Sequence, residues 1–184
     1  MAGSLAGGLL LGASTVGGDL AVVSTLGDLT QSGVLTVTGT SSFTTSASNA
    51  TITLTNTGNL LTGAASLNTS GANGHASLTN NRATVLGASN VGGNLTVTDA
   101  VGNLTQTGAL TVAGTSSFTT SASNATITLT NAGNLLTGAV SLSTSGATGN
   151  ASLTNNQATA LAAWTVGGNV TVADAVGNLT QSGS

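Results

Sequence analysis

Gly27-Asp28-Leu29-Thr30-Gln31 returns as Gly102-Asn103-Leu104-Thr105-Gln106 and again as Gly177-Asn178-Leu179-Thr180-Gln181, at a constant spacing of 75. Between these markers, residues 27–101 and 102–176 differ at only 16 of 75 positions. The opening segment joins in, because Leu11-Gly12-Ala13-Ser14 and Val16-Gly17-Gly18 lie 75 before Leu86-Gly87-Ala88-Ser89 and Val91-Gly92-Gly93. Self-similarity at a fixed period marks a stack, in which each unit buries its apolar face only against its neighbours. The chain therefore reads as one domain over 1–184: a partial repeat 1–26, full repeats 27–101 and 102–176, and a partial repeat 177–184.

The local signal is alternation of period two. Leu35-Thr36-Val37-Thr38, Ile52-Thr53-Leu54-Thr55, Ala76-Ser77-Leu78-Thr79 and Leu95-Thr96-Val97-Thr98 each put an aliphatic pair on one face and a hydroxyl pair on the other. Clusters such as Thr57-Gly58-Asn59 and Ser70-Gly71-Ala72-Asn73-Gly74 supply the turns between them. No apolar stripe of period 3.6 appears, so helix is excluded as the main element. The reading is all-β: a parallel β-helix of about ten coils, each of roughly 19 residues, with four coils to a repeat. Coils are expected at 34–50, 51–74, 75–93 and 94–108, and again 75 later. The opening segment reads as a shortened coil of the 75–93 type followed by one at 19–33. Phe43 and Phe118 share a repeat position and are expected to point inward. Trp164 replaces Ser89 and reads equally as a wedge in the core or an exposed patch. Paired Asn positions, Asn94 with Asn169 and Asn103 with Asn178, are expected to build side-chain ladders along the axis.

Charged residues make up 3% of the chain, against roughly 25% in an ordinary domain. Lysine, glutamate, cysteine and proline are absent; Arg82 is the one fixed cation and Asp19, Asp28, Asp99 and Asp174 are the acids. Nucleic-acid binding needs several cations to neutralise phosphates, so that class is excluded. Lack of cysteine assigns no compartment. The apolar run Leu9-Leu10-Leu11 has no basic flank and is too short to span a bilayer, so it reads as a first buried strand, with no targeting signal and no transmembrane segment.

Little in the chain resembles catalytic machinery. The single histidine, His75, is Asn150 in the next repeat and reads as an exposed turn residue; Arg82 becomes Gln157. Asp99 and Asp174 are equivalent, and on a four-coil repeat they stand about 19 Å apart, too far for paired-carboxylate chemistry at about 5–9.5 Å. Asp28 becomes Asn103, and the turn holding Asp19 holds Asn94 in the next copy, so neither turn demands a carboxylate. The calcium-binding nonapeptide of β-rolls is missing, and the Gly-rich stretches lack the lysine of a phosphate loop. No catalytic residue, metal site or cofactor is predicted.

One surface pattern has functional content. Thr36, Thr38, Thr53, Thr55, Ser77, Thr79, Thr96 and Thr98 would form an outward hydroxyl array, spaced about 7 Å along a strand and about 4.8 Å between coils. Such an array can order water and bind ice; threonine is also simply a good strand former on a solvated face. Ala113 and Ala173 are expected to interrupt the array in the second repeat, and unequal coil lengths to disturb its alignment.

The run Val91-Gly92-Gly93-Asn94-Leu95-Thr96-Val97-Thr98, then Gly102-Asn103-Leu104-Thr105-Gln106-Thr107-Gly108-Ala109-Leu110-Thr111-Val112, resembles the repeats of filamentous-haemagglutinin-like surface proteins. So does Ala125-Thr126-Ile127-Thr128-Leu129-Thr130-Asn131-Ala132-Gly133-Asn134. Those are bacterial adhesins exported by two-partner secretion, with shafts that are right-handed parallel β-helices. The resemblance implies a secreted, cell-surface, structural role as a segment of an adhesin shaft. Its nearly uncharged faces would meet carbohydrate, other adhesins or host and abiotic surfaces. Two alternatives are an ice-binding solenoid and a self-assembling filament subunit. The last follows from end coils without capping helix, proline or lysine, which would join further copies head to tail.

Overall fold

The computed structural model describes residues 7–183, so residues 1–6 and 184 of the two partial repeats lie outside it. All secondary structure among the described residues is β, and the strands pair in parallel. A nine-stranded and an eleven-stranded sheet run along the molecule, with a three-stranded sheet beside them over the early coils. The chain is a parallel β-solenoid, as its repeats predict.

Coil length follows from the register of the nine-stranded sheet. Leu9, Leu29, Ile52, Ala76, Leu95, Ser116, Val140, Leu161 and Gln181 stack one above the next. The coil from Ala76 to Leu95 is the shortest, and those from Ile52 to Ala76 and from Ser116 to Val140 are the longest. Eight coils carry the chain from Leu9 to Gln181, a mean of 21.5 positions apiece. This corrects the expectation of ten coils of about 19. The starts expected at 51, 75 and 94 fall within one residue of Ile52, Ala76 and Leu95. The coil expected at 34–50 instead begins at Leu29, and the one expected at 94–108 runs on to Thr115. In the opening segment, Leu9 and Leu20 belong to one coil on opposite sheets rather than to two coils.

The difference has one source, the assumption that a repeat must hold a whole number of coils. Gln31 and Gln181, two repeats apart, lie on the same sheet with seven coil steps between them. One sequence repeat therefore winds three and a half coils. Strand Leu29–Gln31 belongs to the nine-stranded sheet, whereas its copy Leu104–Gln106 belongs to the eleven-stranded one. Ile52–Leu54 and Ile127–Leu129 are divided in the same way. Equivalent residues thus alternate between opposite faces of the rod.

Inward residues form a continuous aliphatic column. Phe43 sits in register between Val22 and Leu67, and Phe118 between Val97 and Leu142, both rings being fully buried. Burying each such side chain contributes about 1.5–3 kcal/mol. Trp164 is 38% exposed, which resolves its place in favour of the surface. Leu9-Leu10-Leu11 is a strand, but it is not a wholly buried one: Leu10 is 62% exposed because it points outward, in register with Thr30. Strands with inward hydroxyls, such as Ser41–Thr45 and Thr84–Leu86, add to the four aliphatic ones predicted for each repeat.

Two inward hydroxyls break the apolar column without compensation. Ser41 and its copy Ser116 are buried, and neither Oγ has a hydrogen-bond partner. Leaving a buried hydroxyl unpaired costs about 1–3 kcal/mol. Ser116→Ala is therefore expected to stabilise the protein by about 1 kcal/mol, read as a higher midpoint in urea with an unchanged slope. A lower midpoint would show that the hydroxyl is satisfied.

Candidate functional site

Side chains at the corners do most of the polar work in this molecule. At the corners, in the residue just before a strand begins, the N–H of one coil does not find a carbonyl on the coil before. An acceptor side chain fills the gap. Asp19 Oδ1 accepts from the Thr40 N–H at 2.7 Å, and its repeat equivalent Asn94 Oδ1 accepts from Thr115 at 2.9 Å. Asp28 accepts from Thr51 at 2.7 Å and its copy Asn103 from Thr126 at 2.8 Å. His75 Nδ1 accepts from the Asn94 N–H at 2.8 Å, where the next repeat uses Asn150 Oδ1 to accept from Asn169 at 2.7 Å. Carboxylate, amide and imidazole are interchangeable here because the corner asks only for a lone pair. His75 is half-buried and serves the same corner role as an Asn, rather than standing as an idle turn residue. The Asn ladders also take a different form from the one expected: each Asn bonds the backbone of the next coil, while its copy in the following repeat faces the other side.

Asn49 and Asn124 occupy a further corner in the left-handed region, at φ of 65° and 64°. Gly71 stacks on Asn49 at φ +80°, where a Cβ would come within 2.5 Å of the Asn49 Oδ1.

The most connected polar group is buried and was not singled out from the sequence. Asn59, with no exposed surface, accepts from the Leu35 N–H at 3.0 Å and from Gln31 Nε2 at 2.9 Å. Its Nδ2 donates to Gln31 Oε1 at 2.9 Å, to the Thr79 carbonyl at 3.1 Å and to the Leu54 carbonyl at 3.3 Å. One amide thus ties three successive coils together. Asn134 repeats the arrangement with Leu110, Gln106, Leu129 and Thr154. Asn80 and Asn155 act differently: each pairs its side-chain amide with both backbone groups of one residue, Leu61 or Leu136. The signal for the Gln–Asn pairs was present, since Gln31 precedes Asn59 by the same interval of 28 that separates Gln106 from Asn134, but that interval matches no coil length.

Ionisable groups stay dispersed. Among the described residues, no three of His, Cys, Asp and Glu gather as metal ligands would. Asp99 is wholly buried, with Oδ1 accepting from the N–H groups of Val101 at 2.9 Å and Gly102 at 2.6 Å, and Oδ2 unpaired. Its copy Asp174 stands three and a half coils away on the other sheet, not four coils along the same one. There Asp174 bonds Thr159 through both oxygens.

Six of the eight hydroxyl residues proposed as an array come together. Thr53, Ser77 and Thr96 are in register on the nine-stranded sheet, and Thr79 pairs with Thr98 two residues along. Thr55 follows Leu54, the register partner of Leu78, and is exposed. Thr36 lies apart, on the three-stranded sheet between Thr15 and Leu60, and Thr38 is in the turn that follows. Ala173 does not interrupt this array, because it stands opposite Thr154 on the eleven-stranded sheet.

Asn134→Ala leaves one buried N–H and two buried carbonyls without that partner. A loss of about 3 kcal/mol or more is expected, against little change for His75→Asn; urea unfolding of both variants checks this. Hydrogen bonding from Thr40, its backbone N–H first, holds the Asp19 carboxyl below its ordinary value. A lowered folded-state pKa means that the bond's contribution is complete above the unfolded value and is lost as pH falls through the folded one. A small acid-induced loss of stability is therefore expected below about pH 4. Asp19→Asn, which keeps the acceptor, should remove that part of the pH dependence; an unchanged profile would refute the assignment.

Neither the curated proteins nor the solved structures compared with the chain gave a match. Residues 2–68, 73–143 and 148–184 match the family described as repeats of unknown function (DUF5649), and the starts of the second and third matches, at 73 and 148, keep step with the internal repeat. Since the three matches together span nearly the whole sequence, the chain belongs to this family of repeats.

Proposed function

We propose that the chain is a structural, non-catalytic segment of a bacterial cell-surface adhesin shaft, exported from the cell and serving to hold a binding tip away from it. The observation that carries this reading is the unbroken coil-to-coil register from Leu9 to Gln181. Bending such a rod means opening parallel hydrogen bonds and the buried amide ties on one side, so stiffness is built into every coil. Eight coils at about 4.8 Å give a length of roughly 40 Å, and two more coils would add only their own rise. The resemblance of Val91–Thr98 and Gly102–Val112 to filamentous-haemagglutinin-like repeats supports the same role. The faces offered to carbohydrate or to host and abiotic surfaces carry hydroxyls and very few charges.

An antibody raised against the purified chain should label intact cells of the source bacterium, and electron microscopy should place the label at a distance from the membrane. Labelling only after permeabilisation would overturn both the location and the shaft role.

A further inference from the structure

The longest regular feature of the surface is a ladder of hydroxyls on the nine-stranded sheet. Thr30, Thr53, Ser77, Thr96, Ser117 and Ser141 stack in direct register through six successive coils. A second rail runs beside it, two residues further along the strands, through Thr79, Thr98, Thr119 and Ser143. Coil lengths vary along this stretch, yet the rails stay aligned, because the corners absorb the difference. The grid measures about 4.8 Å between coils and about 7 Å along a strand.

Three observations narrow the occupant. First, among the described residues these hydroxyls bond to no other protein group, whereas corner and inward threonines such as Thr45, Thr69 and Thr120 spend theirs on carbonyls of Ala50, Gly74 and Ala125. The rails thus offer free donors and acceptors. Second, charge complementarity points to a neutral partner: none of the four acids, Arg82 or His75 belongs to either rail. Third, no aromatic ring lies along the rails for a sugar to stack on: Phe43 and Phe118 are in the core, and Trp164 stands one coil beyond the rails, next to the Thr165 that bridges to Ser143. A neutral, periodic set of paired donors and acceptors matches a neutral, periodic hydrogen-bonding lattice.

We propose that this face binds ordered water at the surface of ice, the two rails seating on rows of lattice oxygens with threonine methyl groups between them. The half-coil phase of the repeat gives the rod a second, shorter rail on the opposite sheet, through Thr105, Thr128, Ser152 and Thr171. This inference rests on the face alone, so its failure would leave the shaft reading intact.

The test is thermal hysteresis and ice-crystal shape with the full chain, alongside Thr53→Lys, Thr96→Lys and Arg82→Gln. Both threonines are exposed, and circular dichroism shows whether each variant keeps the β-solenoid. The proposal expects hysteresis and faceted crystals with the parent chain and with Arg82→Gln, and loss of both with either lysine variant that folds. It is overturned if the parent shows no hysteresis, or if the lysine variants retain it. Sedimentation supplies a separate check: side-by-side association of the parent that Thr96→Lys abolishes would make a second copy the occupant and would also overturn the proposal.

Discussion

Everything in this molecule depends on each coil's meeting the backbone hydrogen bonds of the coil before it. A parallel strand has no local partner, so its N–H and C=O groups are satisfied only by a strand one coil away in sequence. Along the sheets this happens automatically. At the corners, in the residue just before a strand, it does not. At such corners the chain uses Asp19, Asp28, His75, Asn94, Asn103 and Asn150 as acceptors for the next coil. Length variation is confined to the corners between strands, so the flat faces keep their register.

The interior divides the labour in a complementary way. Leucine, isoleucine, valine and the two phenylalanines drive collapse without specifying which coil lies on which, since one aliphatic row resembles the next. Asn59 and Asn134 add that information: a buried amide bonded to three coils has one satisfactory position, and a slipped register would strand its donors and acceptors. Asp99 is harder to rationalise. Its Oδ1 closes a turn, but Oδ2 is buried without a partner, and nothing in the structure explains why an acid rather than the Ser24 of the first copy stands there.

How much of this could be read from the sequence depends on which residues carry each feature. Ile52-Thr53-Leu54 and Leu95-Thr96-Val97 announce strands because apolar and hydroxyl residues alternate cleanly, and the structure places strands there. Ser41–Thr45 and Thr84–Leu86 are harder to see, because inward Ser41, Thr45 and Thr84 erase the contrast between faces. The Gln31–Asn59 tie escaped notice because its partners lie a full coil and a corner apart in sequence, a separation that no local pattern reports.

The half-integral winding follows from a cross-section with two broad sheets. Half a coil carries a strand from one sheet to the other, where it meets the same kind of core, so a repeat need not close on a whole turn. Selection on the core therefore leaves the face unspecified, and surface features inherit the consequence. Each feature of the repeat appears alternately on the two sides, as Thr53 and Thr128 do. A change of one repeat in such a rod would turn whatever follows it to the opposite side, while a change of two would restore its orientation. In a solenoid built this way, the number of repeats sets direction as well as reach.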